Sequence, residues 1–99
     1  PATRVWAAGI HKALEARLPP VTKEFEPCCY LSEGGGGKDV RCTLHTVERL
    51  FGGKYSMPPE VKALGAPVLK YCVLHAYIVL APSGRHTLVD ALDSALAEL

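Results

Sequence analysis

Ninety-nine residues with 48% apolar side chains suit one packed domain and argue against a disordered or fibrous chain. Eleven Lys and Arg against ten Asp and Glu leave a formal charge of +1, and neither sign gathers into a block that marks a nucleic-acid or membrane footprint. The longest apolar run, Cys72 to Pro82, is interrupted by His75 and reaches only about half the ~20 residues a membrane helix needs. One soluble domain over residues 1–99 is therefore expected, with no membrane partner. The chain starts at Pro1 without a charged-then-apolar leader, as an excised or processed domain does. Four cysteines, two of them adjacent, are too few for a disulfide-dense secreted scaffold, so reduced thiols and an intracellular setting are expected.

In ATRVWAAGIHKALEARLPP, Trp6, Ile10, Ala13 and Leu14 recur at helical spacing, Thr3 stands as a candidate N-cap, and Pro19 and Pro20 end the run. This predicts a helix from Thr3 to Leu18. VTKEFEPCCYL alternates, with Val21, Phe25, Cys29 and Leu31 on one face and Thr22, Glu24, Glu26 and Tyr30 on the other. It reads as a strand, and Pro27 puts it at an edge or bulge. DVRCTLHTV alternates too, with Val40, Cys42 and Leu44 inward and Arg41, Thr43 and His45 outward. The intervening SEGGGGKD makes the pair a hairpin with a long glycine loop.

From Thr46 the period changes, and Leu44, Val47, Leu50 and Phe51 also fit a helical face before Gly52 and Gly53. EVKAL after Pro58 and Pro59 suits a single helical turn. VLKYCVLHAYIVL, residues 68–80, has a length that suits either element, and Tyr71, Val73, Tyr77, Ile78 and Val79 favour a strand. SGRHTLVDALDSALAEL carries Leu88, Ala91, Leu92, Ala95, Leu96 and Leu99 at spacings of three and four, and Thr87 with Asp90 resembles a capping box. The predicted fold is α+β: a two-layer sandwich in the order helix, strand, strand, irregular segment, strand, helix, with both helices on one face of a small sheet.

Two stretches rhyme, RCTLHTV and YCVLHAY, each containing Cys-x-Leu-His. Thiolate and imidazole are zinc ligands, and Cys42, His45, Cys72 and His75 would complete a Cys2His2 set. In strands, however, residues i and i+3 point to opposite faces, so neither pair turns together towards an ion; only if both stretches were helices would each pair share a face. The strand reading puts Cys42 and Cys72 in the core and turns His45 and His75 away from them, with no cofactor.

Other chemistry is weaker still. No local signature selects a Cys-His nucleophile pair, and cysteine in an apolar run is usually inert. GGGGK fails the phosphate-loop pattern, because Ser32 stands at the first glycine position and Asp39 follows Lys38. No catalytic residue is named.

The helix, three strands and helix resemble the double-stranded-RNA-binding domain in order alone. That family carries a lysine-rich start to its second helix, where this chain offers only Arg85 and His86 before an acidic face.

The expectation is a non-catalytic protein-interaction or assembly module, self-association included. It acts through an open sheet face carrying Lys23, Arg41, His45, Lys70, Tyr71, His75 and Tyr77, or through an unpaired strand edge. Two alternatives stand beside it: a nucleic-acid-binding domain using Lys23, Arg41, Lys70, Tyr71 and Tyr77, and a Cys/His zinc-binding domain.

Overall fold

The computed structural model describes residues 2–16, 27–33, 39–42, 44–51 and 57–98, with backbone alone at 32, 33 and 39–41. It is mostly helical, and this overturns the α+β sandwich. In chain order the elements are α1 (Ala2–Glu15), β1 (Leu31–Glu33), β2 (Asp39–Arg41), α2 (Val47–Leu50), α3 (Pro59–Lys62), α4 (Ala66–Lys70), α5 (Val73–Val79) and α6 (Pro82–Ala97). The sheet is reduced to β1 and β2, three residues each, paired antiparallel with Leu31 opposite Arg41 and Glu33 opposite Asp39. A lone bridge joins Pro27 to His45. A ribbon this short has no face on which two helices stack, so the helices bury one another. The proposed strand residues 21–26 lie outside the described residues.

The segment 68–80 decides the architecture, and it is helical where β-propensity argued for a strand. Its buried positions are Val68, Cys72, Val73, Ala76 and Leu80, spaced by three and four, whereas Ile78 and Val79, which favoured a strand, are exposed. Period outweighs propensity, because burial of a continuous stripe supplies more free energy than a preference spanning about 1 kcal/mol. The segment is broken at Tyr71, which is extended, and Cys72 begins the next helix as its N-cap. The break frees two carbonyls for tertiary use: Lys70 O accepts from Cys29 N–H at 2.7 Å, and Tyr71 O accepts from Val47 N–H at 2.8 Å. Thus the start of α2 and the loop carrying Cys28 and Cys29 are both pinned to the α4–α5 corner.

Helix α6 begins five residues before the expected Thr87 cap. Pro82 occupies its first turn after an extended Ala81, a position where proline's missing N–H costs nothing. Thr87 lies inside the helix and its hydroxyl donates to Ser83 O at 3.1 Å. Thr3 likewise lies within α1 and caps nothing. In α2 the cap is Thr46, whose Oγ1 accepts from Arg49 N–H at 3.1 Å. Gly65, between α3 and α4, has φ 77 and ψ −140, a conformation open essentially to glycine, and it lets the chain reverse between two short helices.

The core runs through the middle of the molecule. Leu14 of α1, Val47 and Leu50 of α2, Val61 of α3, Val68 of α4, Val73 and Ala76 of α5, and Leu88 and Leu92 of α6 are all essentially inaccessible to solvent. Helix α1 packs on α5 and α6, α2 on α4, and α3 on α6. Among the described residues no helix is long and apolar enough to cross a membrane.

Candidate metal centre

The rhyming stretches diverge once folded. Cys72 and His75 stand at the N-cap and third position of α5, so the helical turn brings both side chains to one side, and Cys72 Sγ lies 3.3 Å from His75 Nδ1. His75 is therefore not turned away from Cys72, as a strand would have required. Cys42 follows β2 in non-helical backbone, and its Sγ lies 3.9 Å from Cys72 Sγ. His45, three residues on, does not join it. The bridge to Pro27 and a hydrogen bond from Cys28 N–H to Leu44 O at 2.8 Å hold that strand-like piece straight, and His45 faces α1.

The fourth position near this cluster belongs to Cys28. Its Sγ lies 3.4 Å from His75 Nδ1, so one imidazole nitrogen sits between two sulfurs at nearly equal distance. Cys28 Sγ, Cys42 Sγ, Cys72 Sγ and one His75 ring nitrogen all lie within 4.8 Å of one another. Four ligands around tetrahedral zinc, with Zn–S near 2.3 Å and Zn–N near 2.0–2.1 Å, have S···S edges of about 3.8 Å and S···N edges of about 3.6 Å. Three of the six edges stand at 3.9, 3.3 and 3.4 Å, within about 0.3 Å of those lengths. Hydrogen bonding alone accounts for it less well, because Nδ1 has one lone pair or one proton and cannot serve both sulfurs. All four cysteines are free thiols, Cys28 and Cys72 fully buried and Cys29 exposed.

Outer contacts fix the ligands. Tyr30 N–H donates to Cys28 Sγ at 3.5 Å, two residues along the chain, which compensates thiolate charge and locks the loop. The Tyr30 ring stacks on His75 with centroids 3.9 Å apart and an interplanar angle of 12°, and Tyr71 meets Tyr30 edge-on at 6.2 Å. Cys42 N–H donates to Tyr30 O at 3.3 Å. Without a metal Cys28 and Cys72 are held protonated: burial pushes Cys72 up to about 12, and burial raises Cys28 against the opposing Cys72 and Tyr30 amides. Burial also lowers His75, with Arg4 adding in the same direction, so its imidazole is neutral at pH 7 and free to ligate.

The described residues form no common sheet face, and those of the seven expected there that are described are dispersed. Lys23 lies outside the described residues. Arg41 pairs through its backbone in β2, and Lys70 is exposed at the end of α4. His75 is a member of the cysteine cluster, Tyr71 meets Tyr30 beside it, and His45 lies 2.8 Å from Glu15. Tyr77 is on the opposite flank, tilted against Trp6 with centroids 5.4 Å apart and under the Arg85 guanidinium at 5.0 Å. Of the alternative metal set, Cys42, Cys72 and His75 converge and His45 does not.

Cys28 gave no usable signal in the sequence, being hidden as one of an adjacent pair. Only the C-x2-H spacing of Cys72 and His75, read on a helix, pointed to this site. No known protein family, curated protein or solved structure matches the chain.

Proposed function

We propose that this chain is a zinc-binding, non-catalytic domain in which one zinc ion, held by Cys28, Cys42, Cys72 and His75, closes the fold and presents a surface for a protein partner. The observation that carries it is the convergence of three sulfurs and one imidazole nitrogen within 4.8 Å of one another, with three of the six edges near tetrahedral lengths. A Cys3His set fills all four positions of tetrahedral zinc, which is the arrangement of structural sites, whereas catalytic zinc keeps one position for water. The ligands come from the loop after Pro27, the end of β2 and the start of α5, so one ion ties together segments 14 and 30 residues apart in the chain.

A protein partner is supported by the flank away from the metal. Val5 and Ile78 are exposed beside Trp6 and Tyr77, next to a shallow groove of about 290 Å³ lined by Ala2, Thr3, Trp6, Tyr77 and Val89. Arg85 stands over the Tyr77 ring, donating from Nε to Tyr77 O at 2.7 Å and from Nη2 to Ile78 O at 3.0 Å. Aromatic residues and arginine are the side chains enriched where proteins meet. The nucleic-acid reading draws less support, because Tyr71 is committed to Tyr30 and the two tyrosines form no common stacking platform.

Native mass spectrometry of the untagged chain tests metal and assembly together. The expected spectrum has one tightly retained zinc per chain, kept in Cys29→Ser and lost in Cys28→Ser, and its mass also reads whether the partner is a second copy. A chain that retains no zinc, or that loses it equally in both variants, contradicts the proposal.

A further inference from the structure

We propose that His11, Glu15 and His45 form a second divalent-metal site, open to solvent and distinct from the cysteine centre. His11 and Glu15 stand one turn apart on α1, and the Pro27–His45 bridge brings His45 alongside them. One ligand atom from each of the three lies within 4.8 Å of the others. Glu15 Oε2 is 2.8 Å from His45 Nδ1 and 3.2 Å from His11 Nε2, and the two imidazoles lie nearly parallel with centroids 5.7 Å apart.

The arrangement calls for a cation. His11 Nε2 accepts from His45 backbone N–H at 3.3 Å, so in that tautomer it has no proton to give Glu15. The Glu15 carboxylate oxygen, 3.2 Å from the same nitrogen, then receives no proton from it, and a positive centre beside the two would hold both. A metal ion would take His11 Nε2 in place of its bond from the His45 amide and draw in the Glu15 carboxylate and the His45 ring, with donor–donor edges of about 3.3 Å for zinc against the observed 3.2 and 2.8 Å to Glu15. The Glu15 side chain, 45% exposed, supplies the freedom for that adjustment.

Two imidazoles and a carboxylate suit zinc and its first-row neighbours, and three protein ligands leave a position for water or a small anion. This set lacks thiolate, so it binds more weakly and exchanges faster than the Cys3His centre. The two sites share one piece of backbone: Cys28 N–H bonds Leu44 O, and His45 is the next residue. Filling the first site therefore fixes the strand that carries a ligand of the second.

The test is a zinc titration of the full chain followed by calorimetry, starting from protein already holding one equivalent. A second, weaker binding step is expected, reduced about tenfold or more in Glu15→Gln and in His45→Asn. The first step, read by competition with a chromophoric chelator, should be unchanged in Glu15→Gln, whose exposed position leaves folding intact by circular dichroism. Absence of a second step, or a second step insensitive to both substitutions, overturns this site while leaving the cysteine centre standing. Loss of the first step alone, with Glu15-dependent binding retained, refutes the cysteine centre and leaves this one.

Discussion

Chelating zinc from the chain at neutral pH is expected to unfold it. Structural zinc contributes an apparent ~10–16 kcal/mol of binding free energy at pH 7, as large as the whole stability of a typical domain, about 5–15 kcal/mol. Here the cost of losing the ion is increased by where the ligands lie. Cys28 and Cys72 are fully buried, and the ion links the Cys28 loop, the end of β2 and the α4–α5 corner, which β1 and β2 alone cannot hold. The pH dependence follows from the same chemistry. Zinc must displace the proton of each thiol, with Cys72 pushed up to about 12 in the metal-free protein, so acid competes for the ligands and apparent affinity falls as pH falls. The expected observation is loss of the cooperative far-ultraviolet melt on adding a strong chelator, its recovery on adding zinc, and a zinc-release midpoint that moves to weaker chelator as pH is lowered from 8 towards 6. A melt unchanged by chelator would mean that the helices carry the fold unaided.

Leu92→Ala is expected to be the most damaging single change away from the metal. Leu92 is completely buried in α6 among residues of the common core, and truncating such a leucine costs about 2–5 kcal/mol through lost burial and the cavity left behind. For a domain of this size each kcal/mol shifts the melting temperature by roughly 4–8 °C. The variant should therefore melt about 8 °C or more below the parent in the zinc-loaded state while still binding one zinc, because Leu92 lies in α6, which supplies no ligand to the cysteine cluster. Equal melting temperatures would contradict the core described here. Reduced zinc stoichiometry would tie α6 to the site more closely than the packing implies.

The helices at either end were readable because their apolar stripes, Trp6 to Leu14 and Leu88 to Leu96, repeat at one period over several turns. The middle was misread for a physical reason. Residues 68–80 contain β-branched and aromatic side chains at Val73, Tyr77, Ile78 and Val79, and the local preference of these residues points to a strand. Their burial pattern, with Val68, Cys72, Ala76 and Leu80 on one stripe, is helical. A strand reading of that segment also hides the proposed metal centre, since a strand sends Cys72 and His75 to opposite faces and a helix turns them together. Only one of the two Cys-x-Leu-His stretches had to be helical. Cys42 and Cys28 join the proposed set from backbone outside the helices, where no helical spacing links them to it. His45, left out of that set by the bridge to Pro27, meets Glu15 and His11 instead, a pairing that depends on tertiary contact between residues 30 and 34 positions apart.

X-ray absorption at the zinc edge, on full-length protein loaded with slightly less than one equivalent, tests the central claim most directly. The expected first shell is three sulfurs near 2.3 Å and one nitrogen near 2.0–2.1 Å, with imidazole scattering beyond it. A shell of nitrogen and oxygen alone would contradict the Cys3His centre and would move the tight site to His11, Glu15 and His45.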